Sequence, residues 1–277
     1  MSSSSLLPLA NNTNGVILWE GTSQLDGVTP IVAIMTGITR KSKNDKTLDL
    51  KQIWIIRSDK APNIAATDNT DGGICGDGER RCIHARRFDE ATGKFVRTCY
   101  VNLRTPSTIF RCYSKGNYGK LNLYNVEQVR QAVWGRGVGG VRIGAYGDPA
   151  AVPYEVWKAI TEVADFTTGY THQWQWISRG YGEFCMASSE STELTMLAES
   201  MGYRAFQVVG IGEAKQTMKE MVSAGLKPRR CPSDPALPVK VGCADCKGCS
   251  GFRVARHVVI EAHGATAKQY RTKLSVL

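Results

Sequence analysis

The sequence predicts an α/β protein, a (β/α) barrel-like fold with an imperfect ring and a C-terminal metal-binding loop. Three observations carry that reading. From residue 125 onward, helical and strand-like segments alternate, as parallel βαβ units require. Several strand candidates are near-continuous apolar runs of the kind that suits strands covered on both faces. About eight strands fit a chain of 277 residues with 42% hydrophobic residues, long enough to bury a full core.

Taken in order, the expected strands are Ile31–Gly37, Gln52–Asp59, Thr98–Leu103, Val141–Tyr146, Phe166–Tyr170, Phe184–Ala187, Ala205–Val209 and Val254–Glu261. The helices follow from apolar residues three and four apart. Asn125–Trp134 aligns Val126, Val129 and Val133, and Pro153–Ala164 opens on proline and aligns Val156, Trp157, Ile160 and Val163. Ser191–Met201 stops at Gly202, Glu213–Ala224 stops at Gly225, and a last helix is expected over Ala265–Leu274. Residues 1–30 read as an N-terminal extension. Residues 31–277 read as one domain with a basic loop, 60–120, and a metal-binding segment, 231–251. No apolar run reaches the ~20 residues that span a bilayer, and the first residues lack a basic n-region. The expectation is a cytoplasmic protein.

The net charge is +10, and the excess sits in two blocks, residues 40–120 and 201–277, around an acidic middle. That distribution favours a polyanion, nucleic acid, as partner; the plainer reading is a solvated basic surface. Arg40, Lys41, Lys43 and Lys46, on a glycine-bearing strand exit, and Arg80, Arg81, Arg86 and Arg87 are the candidate contacts. The G-x4-G-K-[ST] order of a phosphate loop is missing, as are G-x-S-x-G, H-E-x-x-H and G-x-G-x-x-G.

Nine cysteines carry the strongest signal. Cys243, Cys246 and Cys249 form C-x2-C-x2-C, and Cys231-Pro232 supplies a fourth thiol. Thiols at this density in a glycine-rich segment suit tetrahedral zinc or an iron–sulfur cluster. Zinc is the first expectation and the cluster the alternative. Cys75, Cys82, His84 and Cys99 form a second candidate metal set.

Chemistry in parallel α/β folds gathers at strand C-termini. Asp148, between Gly147 and Pro149 after an apolar strand, is the leading candidate catalytic group, its plainer role being a turn cap. Asp59, Glu190 and His172 end other strands and complete the candidate set.

The order Cys75-Gly76-Asp77, Cys99-Tyr100-Val101-Asn102, Arg142-Ile143-Gly144-Ala145-Tyr146-Gly147-Asp148-Pro149 and Cys231-Pro232 with the late cysteines resembles an uncharacterised family of phage and prophage proteins. More distantly, the chain resembles the tRNA-guanine transglycosylase superfamily and its phage branch that inserts 7-deazaguanines into DNA. That likeness implies a barrel, a late zinc site, and two strand-end carboxylates that exchange a base. It also implies DNA and a modified-base precursor as partners. In that superfamily the cluster reads C-x-C-x2-C plus histidine, whereas here it reads C-x2-C-x2-C plus Cys231. The function expected is therefore base exchange on nucleic acid. An iron–sulfur enzyme on a similar barrel and a non-catalytic, metal-stabilised nucleic-acid-binding protein are the alternatives.

Overall fold

The computed structural model describes residues 14–270 apart from 43–45, 48, 91, 252–255, 265–266 and 268–269. Lys43 and most of the last expected helix therefore lie outside the described residues.

Ten strands form one sheet in the order β11-β12-β10-β9-β8-β7-β3-β2-β1-β6. They are β1 (Gly15–Thr22), β2 (Pro30–Thr36), β3 (Lys51–Arg57), β6 (Gly119–Lys120), β7 (Gly140–Tyr146), β8 (Phe166–Thr171), β9 (Met186–Ser189), β10 (Ala205–Val209), β11 (Pro228–Arg230) and β12 (His257–Glu261). A separate hairpin joins β4 (Arg87–Asp89) to β5 (Lys94–Val96). The helices are α1 (Pro62–Thr67), α2 (Gly72–Cys75), α3 (Arg104–Ser114), α4 (Val126–Trp134), α5 (Tyr154–Thr161), α6 (Thr192–Ser200), α7 (Ala214–Ser223) and α8 (Cys243–Cys246).

From β3 through β7, β8, β9 and β10 every neighbour is parallel and follows in chain order. Right-handed crossovers that always step the same way put their helices on one face and leave the other face bare. Val141, Ile143 and Ala145 of β7 enter the core with Val129 and Val133 of α4 and Trp157 and Ile160 of α5. The residues between them on the same strand, Arg142 and Gly144, face the other way with Tyr146. The bare face is concave. His263, just beyond β12, meets Lys46 before β3 at 3.0 Å and stacks on Tyr100, which accepts a hydrogen bond from Arg142 of β7. Side chains thus bridge strands that stand far apart in the sheet order.

Among the described residues the sheet nevertheless does not close. β11 and β6 are its edges, so the expected barrel is corrected to an open, curled, mostly parallel sheet. Two features prevent the ring. The first three strands form an antiparallel meander instead of βα units, and β12 enters between β10 and the three-residue β11. The expected N-terminal extension is also corrected. Residues 15–22 are β1, whose Val16, Ile17 and Leu18 are buried in the main core.

The strands expected around residues 31, 52, 141, 166 and 205 form within two residues of the predicted bounds. Thr98–Leu103 is irregular and leads into α3, a helix in the segment expected to lack one. Pro106 and Ile109 of that helix are buried, and Phe110 and Tyr113 pack partly against the core, a stripe set among arginine, serine and threonine. β7 carries a local irregularity that no pattern announces. Gln52 pairs with Arg142 while Trp54 pairs with Tyr146, so β7 bulges at Gly144, whose φ of 67° is the left-handed region.

Candidate functional site

The concave face holds an apolar cavity of about 370 Å³. Tyr146, Tyr170, Phe206, Val208 and Ile260 supply its apolar surface, contributed by β7, β8, β10 and β12 at alternate positions. A wider groove of about 560 Å³ adjoins it over β2 and β3, sharing Tyr100, Val101 and Arg142. Arg40, Lys41, Trp54 and Tyr118 line this groove.

Both cysteine sets border the cavity, and they reach it from different places. Cys75, Cys82 and Cys99 come from the long segment after β3. Backbone bonds gather that segment: Cys82 N donates to Cys75 O at 2.8 Å, and Cys99 N donates to His84 O at 2.9 Å. Asp148 N to Ile74 O and Gln173 Nε2 to Arg80 O, each 2.7 Å, strap it onto the ends of β7 and β8. The three thiols interact electrostatically in all pairs. Burial pushes the Cys75 and Cys99 thiols up.

The late set, Cys231, Cys243, Cys246 and Cys249, also interacts in all pairs. It is fastened to the start of β8 by Ser250 Oγ donating to Thr167 O at 2.6 Å and by the Lys247–Asp165 pair at 2.5 Å. Cations surround it. Arg229 Nη2 donates to Cys246 Sγ at 3.1 Å, while Lys46 and Arg142 lie near Cys243. Arg229 passes directly over Gly248, where a Cβ would fall 1.2 Å from its Nη2. Burial lifts the Cys231 thiol to about 11 and the Cys249 thiol to about 12.

One zinc ion holding four thiolates at ~2.3 Å would place the sulfurs about 3.8 Å apart. Among the described residues, the only three ligand atoms mutually within 4.8 Å belong to His84, His172 and Glu190. Among the described residues no three thiols of either set lie mutually within 4.8 Å. A cluster in which each thiolate meets a different iron takes the wider spacing. His84 Nδ1 lies 2.9 Å from Thr98 Oγ1, and its ring stands edge-on to that of His172.

Asp148, His172 and Glu190 stand at the ends of β7, β8 and β9. Asp148 Oδ1 accepts from Ala150 N at 2.9 Å and Thr171 Oγ1 at 2.7 Å, and Oδ2 accepts from His172 N at 2.8 Å. Burial raises its pKa despite these donors. It therefore caps the Pro149–Ala151 turn and ties β7 to β8, the plainer role weighed for it, while still bordering the cavity. Burial opposes charge on His172, but the Cys82 thiol and Glu190, whose Oε1 is 3.4 Å from Nδ1, raise its pKa well above the ordinary value. Burial and the neighbouring His172 hold His84 down to about 3. Two imidazoles and a carboxylate at this spacing can move a proton or hold a divalent cation.

Other expected residues are engaged elsewhere. Asp59 pairs with Arg57 at 2.7 Å and does not line the cavity, so it is not the second carboxylate of the site. Arg81 pairs with Asp71 at 2.8 Å, Arg86 covers the Phe95 ring, and Arg87 donates to Ile83 O. Arg80 lies over Trp176. Arg40 and Lys41 line the groove, and Lys46 lines the cavity. Tyr146, Tyr170, Phe206 and Arg142 escaped sequence reasoning, although the i, i+2 spacing of Arg142, Gly144 and Tyr146 and of Thr168, Tyr170 and His172 is the signal of one strand face.

The fold and site define a curled, mostly parallel α/β protein with a cavity walled by two thiol sets. Comparison with family models, curated proteins and solved structures finds no match to this chain. Among the described residues no helix is long and apolar enough to cross a membrane.

Proposed function

We propose that this protein is an iron–sulfur enzyme that modifies a base of nucleic acid, with DNA the favoured substrate. The observation that carries the reading is the late cysteine set. Its four thiols interact in all pairs beside Lys46, Arg142 and Arg229, no three of them lie mutually within 4.8 Å, and Cys231 and Cys243 border the apolar cavity. Cations beside thiolates offset the negative charge that a cluster and its ligands bring. The cavity has the volume of a small-molecule site and an aromatic wall suited to a planar ring.

The adjoining groove supports the nucleic-acid part. Arg40 and Lys41 offer phosphate contacts, and Trp54, Tyr100 and Tyr118 offer surfaces for bases. A strand in the groove would deliver an unstacked base past Tyr100 and Arg142 into the cavity. His172, on the cavity wall and 3.4 Å from Glu190, is the acid–base candidate for such a base.

Base exchange of the transglycosylase type is the second reading, favoured by the Asp148 carboxylate on the cavity wall. Its demand on Asp148 is heavier, because both oxygens already accept hydrogen bonds.

Anaerobic purification followed by iron, sulfide and zinc analysis tests the proposal. Iron and sulfide in near-equal amounts, with broad visible absorption lost in a Cys243→Ser/Cys246→Ser variant, is the expected result. Stoichiometric zinc without iron after anaerobic reconstitution would overturn the iron–sulfur reading. Nucleoside mass spectrometry of DNA and RNA from expressing cells then separates the substrates, and unmodified pools with both would remove the base-modification reading.

A further inference from the structure

We infer that Cys75, Cys82 and Cys99 hold a second iron–sulfur cluster through three thiolates, leaving its fourth iron open to the cavity. The inference deepens the iron–sulfur reading but stands on different residues. All three thiols line the cavity, and all three pairs interact, yet no three ligand atoms including them lie mutually within 4.8 Å. That separates them from a one-ion site for the same reason as the late set.

Their placement favours a cofactor that meets substrate. The segment bearing them follows β3, the first strand of the parallel run, and is strapped to the ends of β7 and β8. Strand C-termini are where parallel α/β folds present reactive groups. Arg97 lies within electrostatic range of Cys99 and offsets cluster charge there, while Arg81, near Cys75, is paired with Asp71.

A second observation points to a ligand. The Tyr146 hydroxyl, on a side chain 3% exposed, has no hydrogen-bond partner. It faces the cavity within electrostatic range of Cys75 and Cys99. A buried hydroxyl is costly to leave unpaired. A cluster sulfide, or a donor bound at the open iron, would satisfy it.

Four irons with three protein thiolates leave one coordination position, which takes an oxygen or nitrogen donor. The class of ligand is a chelating amino- or hydroxy-carboxylate, since an iron with one weakly held position readily accepts two donors from one molecule. The late set has four thiols for four irons and leaves no such position.

Iron counting on the full chain separates this inference from the reading it rests on. After anaerobic reconstitution the wild type should hold about eight irons per chain, and Cys75→Ala/Cys82→Ala/Cys99→Ala about four. A wild type with about four irons, all lost in Cys243→Ser/Cys246→Ser, would overturn the second cluster while leaving the first. A wild type without iron would overturn both.

A measurement on unaltered protein covers the case in which the triple variant fails to fold. Limited ferricyanide oxidation should convert one cluster per chain from [4Fe–4S]2+ to [3Fe–4S]+, releasing Fe2+ and passing one electron to ferricyanide. The three-iron paramagnetic signal should disappear on adding ferrous iron and a reductant. Titrating the reduced protein with S-adenosylmethionine (amino-carboxylate) and citrate (hydroxy-carboxylate) reads the open position. A shifted spectrum with either supports it. No three-iron signal and no shift with either chelator would overturn it.

Discussion

Replacing Asp148 by asparagine tests whether this carboxylate is mainly a structural tie. It accepts three hydrogen bonds, two on Oδ1 and one on Oδ2. An amide offers one acceptor oxygen and one NH2 group. With the oxygen at the Oδ1 position, the NH2 faces the backbone N–H of His172, at the 2.8 Å now spanned by a hydrogen bond. The opposite orientation loses two bonds instead of one. Thr171 cannot easily compensate, because its Oγ1 already accepts from Gln173 N at 3.0 Å. Loss of one bond to a charged acceptor costs roughly 1.5–3 kcal/mol, and an unmet buried donor about 1–3 more. Relief of the buried charge, seen in the raised pKa, offsets part of this. The net expectation is a loss of about 3 kcal/mol, or roughly 6–12 °C in Tm for a chain of this size. Urea titrations followed by tryptophan fluorescence would measure it, with an unchanged m-value showing that the unfolded reference is the same. A change below about 0.5 kcal/mol would refute the structural role and return Asp148 to the chemistry of base exchange.

Three further predictions follow from the same geometry. His257, 1% exposed, accepts from Ala205 N at Nδ1 and reaches Glu199 at 3.1 Å through Nε2, and burial lowers its pKa. Its contribution is therefore complete above the unfolded value of about 6.5 and is lost as pH falls below it. His257→Phe should flatten that part of a stability–pH profile and cost about 1–3 kcal/mol at pH 7.5 through the unmet Ala205 N–H; an unchanged profile by urea titration at pH 7.5 and 5.5 counts against this. Gly147→Ala should destabilise by roughly 2–4 kcal/mol in the same assay, because φ is 78° and the new Cβ would lie 2.4 Å from Ile55 O; a neutral result would refute the fit of β7 against β3. Arg40→Gln and Lys41→Gln should each lower the log–log salt slope of DNA binding by about 1; unchanged slopes from fluorescence anisotropy would remove the groove from the nucleic-acid path.

Local pattern determined much of this protein. The strands at β2, β3, β7, β8 and β10 and helices α4 to α7 were legible because each buries one stripe or a continuous apolar run. Such burial writes its period into the sequence whatever the neighbours are. Spacing singled out Cys243, Cys246 and Cys249, and the fold puts Cys231 and Cys243 on the same cavity as Cys75, Cys82 and Cys99.

Tertiary structure decided what periodicity cannot encode. Whether parallel strands close into a ring depends on how the end strands pair. Here the antiparallel β1–β3 meander and the insertion of β12 beside β10 leave the sheet open. The partnership of residues far apart in the chain is equally invisible. Asp59 looked like a strand-end acid, but Arg57, two residues away, holds it outside the cavity. His84 looked like a ligand among cysteines, but the fold places its ring against His172 and Glu190. The cavity joins both thiol sets because the sheet curls, bringing Lys46 and Arg142 to residues beyond β11 and β12. That curl comes from summed strand twist and one-sided helix packing, properties of the assembled sheet that no single segment contains.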